Sequence, residues 1–89
     1  MIAFRIQVYG KVQGVFYRAS AKSTADELGL VGWVKNELDG SVWIEVEGGE
    51  KQVEAFIEWC DEGPEFSKVQ EVKTERIGPL DFSEFKIRH

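Results

Sequence analysis

The sequence predicts a two-layer α/β sandwich with the element order β-α-β-β-α-β and a short extra strand near the C-terminus. Three observations carry this: apolar residues switch between the strand period and the helix period along the chain, glycine or proline marks the breaks between these patterns, and only two helical stripes occur.

Ile2, Phe4, Ile6 and Val8 alternate with Ala3, Arg5, Gln7 and Tyr9, the pattern of a strand covered on one face, and this strand ends at Gly10. From Tyr17 the spacing turns helical, with Tyr17, Ala21, Thr24 or Ala25, and Leu28 on one stripe. Gly29 follows where a helix end takes a left-handed residue. Leu30 to Glu37 and Ser41 to Glu47 are rich in Val, Ile and Trp, and Leu38-Asp39-Gly40 between them signals a hairpin turn. Val42, Ile44 and Val46 are expected to face the core, with Trp43, Glu45 and Glu47 on the other face. Val53, Phe56, Ile57 and Cys60 recur at i, i+3, i+4 and i+7, an amphipathic helix that stops before Gly63-Pro64. Lys68 to Ile77 is β-branched with imperfect alternation, and Phe85 and Ile87 alternate with Glu84, Lys86 and Arg88 as the terminal strand. Two helices cannot cover both faces of so small a sheet. Both therefore pack on one face of a mainly antiparallel sheet, a ferredoxin-like arrangement. No repeat or linker interrupts the pattern, so residues 1–89 read as a single domain.

Composition narrows the function classes. Eleven basic against 16 acidic side chains give a net charge of −5, which argues against nucleic acid as a partner because that binding rests on a basic surface. Hydrophobic content of 43% is too high for a disordered chain. No apolar run approaches the roughly 20 residues of a membrane helix, and no leader is apparent. A single cysteine, Cys60, leaves no internal disulfide. The expectation is a soluble, cytoplasmic monomer with no membrane partner.

Gly10-Lys11-Val12-Gln13-Gly14-Val15-Phe16-Tyr17-Arg18 lies where a strand feeds a helix N-terminus, a place where free N–H groups and the helix dipole favour anions. Gly14 carries no Cβ to keep a ligand off the backbone. Arg18 can aim a planar fork at the same spot. Other phosphate chemistries do not fit. There is no G-x-x-x-x-G-K-S/T loop, Gly29-x-x-Gly32 is too short for a dinucleotide fingerprint, and the residue six after Cys60 is Phe66 rather than Arg. One His and one Cys make a soft-ligand metal cage improbable, and a Ser or Cys nucleophile has no base unless His89 serves.

That loop, with Leu28-Gly-Leu-Val-Gly-Trp-Val-Lys-Asn36, Asp39-Gly-Ser-Val42, Gly63-Pro64 and the Phe85-Lys-Ile-Arg88 tail, resembles the acylphosphatase family from end to end. The resemblance implies the same sandwich fold and hydrolysis of small acyl phosphates to carboxylate and inorganic phosphate, with no metal and no cofactor. It also implies that backbone amides of Gly14, Val15, Phe16, Tyr17 and Arg18 cradle the phosphate, that the Arg18 guanidinium neutralises it, and that Asn36 orients the attacking water. Lys11 replaces the more frequent Arg and Tyr17 the usual Phe, each keeping charge or ring. Glu37 stands where some members have Thr, so its carboxylate is expected to point away or to pair with Lys35 or Lys11.

The alternatives come from other classes. One is a non-catalytic module of the same fold that binds phosphate or carbamoyl phosphate. The other is an RNA-binding domain using Trp33 and Trp43 as base-stacking platforms, although its aromatic signature is absent. Taken alone, Arg18 reads as a solvated surface residue and Asn36 as a turn residue. Glu45, Glu47, Glu50 and Glu54 read as solvated charge, and His89 as a terminal residue whose carboxylate can hydrogen-bond near the site.

Overall fold

The computed structural model describes residues 1–79 and 81–89. Seven elements follow in order: β1 (Ile2–Lys11), α1 (Tyr17–Glu27), β2 (Val31–Asn36), β3 (Val42–Gly48), α2 (Glu50–Glu62), β4 (Lys68–Ile77) and β5 (Phe85–Arg88). The strands form one sheet in the order β4-β1-β3-β2-β5. Every pairing is antiparallel except β2 with β5. Both helices lie on one face, α1 over β2 and β5, α2 over β1 and β4.

The core between the layers is built from the alternating positions. Ile6, Val8, Val34, Ile44 and Val46 from the sheet meet Ala21, Ala25, Val53, Phe56 and Cys60 from the helices, all fully buried. Ile2 and Phe4 are only half-buried at the start of β1, packed against the edge of this cluster. α1 ends as expected: Gly29 takes φ +70, its N–H donates to the Asp26 carbonyl, and the Leu30 N–H donates to the Ala25 carbonyl. These are the two bonds that satisfy orphan carbonyls at a glycine-terminated helix.

The end of β1 departs from the periodicity reading, whereas β4 matches it. β1 runs one residue past Gly10, to Lys11, because the ladder to β4 continues across a bulge between Tyr9 and Gly10. Gly10 sits at φ +130 against the Lys68 carbonyl, and a Cβ there would collide with that oxygen. β4, at one edge of the sheet, buries little, with Val69, Val72 and Ile77 half-buried and the rest exposed.

The uncovered sheet face is more ordered than a solvated charge surface. The Arg5 guanidinium donates to Glu45 Oε2 from Nε at 3.0 Å and from Nη2 at 2.7 Å, and its Nη1 lies 3.8 Å from Glu75. Glu45 is therefore a paired carboxylate between strands rather than the solvated charge expected of it. Its hydrogen bond holds the Arg5 pKa above the ordinary value. Trp33 is roofed by the Arg88 guanidinium at 5.1 Å from its ring centroid, and Trp43 Nε1 donates to Ser41 Oγ at 3.1 Å. Trp33 is thus packed against β5 and Trp43 is bonded within the hairpin.

Candidate active site

The chain between β1 and α1 is pinned by two buried valines, Val12 and Val15, while Gly14 and Phe16 face outward. Gly14 takes φ +73 with open space around it, and Phe16, the residue immediately before α1, takes φ +64. No side chain caps this helix start, and its first turn holds no acidic residue. The first helix N–H groups have no intrahelical partner by construction. They remain available where the dipole is positive.

A cavity of about 370 Å³ opens at this point, lined by Gly14, Phe16, Arg18, Ala19, Asn36, Ile87 and His89. Arg18 stands in the first turn of α1, and its Nη1 donates to the Arg88 carbonyl at 3.0 Å and contacts His89 Nδ1 at 3.2 Å. Nε and Nη2 make no bond to the described residues. One flank of the guanidinium is thus tethered to β5 while the rest is left to the cavity. The contact from His89 comes through its ring nitrogen, not through the terminal carboxylate expected to reach here.

Asn36 ends β2 on the helix-covered face and lines the same cavity. Its Oδ1 is buried and has no hydrogen-bond partner among the described residues. Glu37, next in sequence, pairs with Lys35 at 3.5 Å on the other face of the sheet. That is one of the two pairings expected from sequence, and it draws the carboxylate away from Arg18.

The residue that sequence reasoning overlooked is Gln13. Its Nε2 donates to the Glu37 carbonyl at 2.7 Å and to the Ser41 carbonyl at 2.9 Å, tying the loop before α1 to the hairpin turn beyond Asn36. The available signal was an amide side chain beside a glycine in a loop that otherwise lacks polar anchors. Tyr17 has a second role besides its backbone: it is buried, and its hydroxyl donates to the Cys60 carbonyl at 2.8 Å. Burial raises both groups, the Cys60 thiol up to about 12 and the Tyr17 phenol well above its ordinary range. Neither supplies a nucleophile near neutral pH. Among the described residues no group of three His, Cys, Asp or Glu side chains converges to hold a metal ion.

Fold and cavity together define a ferredoxin-like α/β sandwich with a pocket complementary in charge to an oxyanion. The acylphosphatase family model matches residues 4–87. An acylphosphatase of Marinobacter nauticus is 47% identical over 87 residues, covering 97% of this chain and 95% of the relative. The crystal structure of acylphosphatase from Bacillus subtilis superposes with a TM-score of 0.96 at 39% identity, covering 100% of both chains. The structure of an acylphosphatase from Coxiella burnetii gives 0.95 at 40% identity, over 98% of this chain and 92% of that one. The chain belongs to the acylphosphatase family and is a hydrolase of acyl phosphates, acting on an acid anhydride. These full-length matches favour hydrolysis over the non-catalytic binding module.

Proposed function

We propose that the chain hydrolyses small acyl phosphates with a positioned water and no metal ion, the amides of Gly14 to Arg18 holding the phosphate, the Arg18 guanidinium countering its charge and Asn36 directing the water. The observation that carries this reading is the enclosed, partnerless Asn36 Oδ1 in the same cavity as Arg18. A buried acceptor without a donor costs about 1–3 kcal/mol. A turn of the Asn36 side chain that brings this oxygen to a water in the cavity removes the cost and fixes the water in direction.

The chemistry asks for little more. Water oxygen forms a bond to phosphorus as the bond from phosphorus to the acyl oxygen breaks, and the electron pair leaves with the carboxylate. A dianionic acyl phosphate and water thus become a carboxylate and a dihydrogen phosphate monoanion, so both water protons stay on phosphate. A carboxylate with a pKa near ~4 departs without a general acid. Phosphoryl transfer through a loose transition state is accelerated chiefly by positioning and by stabilising charge on the equatorial oxygens. Backbone N–H groups and one guanidinium meet that need. The donor set around the cavity, a guanidinium, amides and one imidazole, supports a reaction without a metal.

The same reading extends to a monomer in the cytoplasm. No helix of the described residues is long and apolar enough to cross a membrane, and the lone Cys60 is buried away from cross-linking. Size exclusion at low concentration tests the oligomeric state.

The deciding experiment is hydrolysis of benzoyl phosphate with and without a chelator, beside a folded Arg18→Ala control. The expected result is chelator-insensitive turnover reduced by roughly 10²–10³ or more in the variant. Equal turnover in parent and variant overturns the reading and leaves a phosphate-binding module.

A further inference from the structure

Phe16 is an anomaly of backbone and of packing at once. It is the only non-glycine among the described residues with a positive φ, at 64°, a region where a bulky side chain is a genuine outlier. Its ring gains nothing from the core in exchange, being 76% exposed. The aromatic contacts of the interior run from Tyr17 through Trp59 and Phe56 to Phe85 and leave it out. Its neighbours Val15 and Tyr17 turn inward and are buried, so the left-handed residue between them is what turns the ring outward. There it lines the cavity that holds Arg18 and Asn36.

The walls of that cavity divide by chemistry. Gly14, Arg18, Asn36 and His89 offer backbone, charge and hydrogen-bonding groups, whereas Phe16, Ala19 and Ile87 offer only hydrocarbon. A volume of about 370 Å³ lies in the range of pockets that enclose whole organic ligands, and a phosphate group fills only a fraction of it. An acyl phosphate is divided in the same way, with an anionic end and a carbon end.

We propose that Phe16, with Ile87, is the wall that contacts the acyl group, and that the Phe16 ring is what sets how strongly a flat or branched apolar acyl group is used over one of acetyl size. The inference rests on the reading above that the phosphate sits on the Gly14 to Arg18 amides, since that placement directs the acyl group toward the apolar wall. The ring contacts the part of the substrate that does not react. It sets which acyl phosphate is used rather than how the anhydride is broken.

The test compares kcat/KM for benzoyl phosphate and for acetyl phosphate within each protein, because both substrates present the same phosphate to the same amides. Damage to the loop scales both rates alike and leaves their ratio unmoved. In the parent the ratio favours benzoyl phosphate; in Phe16→Ala it falls by about fivefold, the factor for partial burial of an aromatic ring. Phe16→Asn keeps a residue tolerant of positive φ and removes the ring, so it lowers the ratio equally while preserving the turn. Phe16→Tyr restores it. Inhibition by phenylphosphonate against methylphosphonate gives the same comparison without turnover, and the preference for the phenyl compound disappears in Phe16→Asn. A ratio unchanged in both Phe16→Ala and Phe16→Asn overturns the acyl subsite even if both rates drop. Benzoyl phosphate turnover in the parent no faster than in Arg18→Ala overturns the hydrolytic reading, and the subsite with it.

Discussion

The Gln13 side-chain amide donates to the Glu37 carbonyl at 2.7 Å, and through that bond the loop preceding α1 is fastened to the residue that follows Asn36. A second bond from the same nitrogen to the Ser41 carbonyl at 2.9 Å prevents rotation about the first. The two halves of the pocket, one on a helix start and one on a strand end, are thereby held at a set separation.

In the proposed mechanism that separation governs turnover, because displacement of a positioned group by about 1 Å costs up to ~10² in rate. Gln13→Ala is expected to lower kcat roughly 10- to 100-fold with a smaller change in inhibition by inorganic phosphate. Gln13→Glu is expected to behave no better, since a carboxylate cannot donate to either carbonyl. Wild-type kcat in Gln13→Glu removes the tether from the mechanism.

In the proposed mechanism, Asn36→Ala deletes the group that directs the water and leaves the amides and Arg18 in place. Turnover is expected to fall roughly 10²–10³ while phosphate still binds. Steady-state kinetics together with phosphate titration by calorimetry separate the two effects, and a parental rate in this variant dismisses the water-directing role.

Glu37 is held on the far side of the sheet by Lys35. Its charge therefore has little influence on a dianion beside Arg18, and Glu37→Thr is expected to shift KM for benzoyl phosphate by less than about twofold at ionic strengths where screening acts over ~8 Å. A large drop in KM means that the carboxylate reaches the pocket.

Stability should fall at alkaline pH. Burial raises the Cys60 thiol from 9.0 to about 12, and Tyr17 is raised likewise, so the folded chain keeps protons that the unfolded chain releases. The sign follows: with more protons bound to the folded state, raising the pH favours unfolding. The Cys60 contribution is complete below about pH 9 and is lost as pH climbs toward 12. Melting temperatures measured from about pH 8 to about pH 11 should decline less steeply for Cys60→Ala than for the parent, and parallel slopes would falsify the assignment.

The architecture was legible because nearly every element carries its own period. Ile6 and Val8 in β1, Val42, Ile44 and Val46 in β3, and Val53, Phe56 and Cys60 in α2 are buried where their spacing puts them. Strand β4 was blurred, since none of its residues is fully buried and no core set fixes its period. The pocket was half legible. Arg18 and Asn36 were identified from motif resemblance, and the structure brings them to one cavity. What periodicity could not supply were contacts between residues remote in sequence: Gln13 to the Glu37 carbonyl, Arg18 to the Arg88 carbonyl, Arg5 to Glu45. The left-handed backbone of Phe16 was equally hidden, because aromatic residues give no local sign of positive φ.

Arg18 takes its tether from a four-residue strand at the rim of the sheet. Rim strands fray at far lower free energy than the whole molecule unfolds. Phe85 anchors the start of β5 in the core, so opening confined to Arg88 and His89 frees the guanidinium while the interior stays intact, and in the proposed mechanism the heat tolerance of catalysis follows the grip of that strand end rather than the melting of the core.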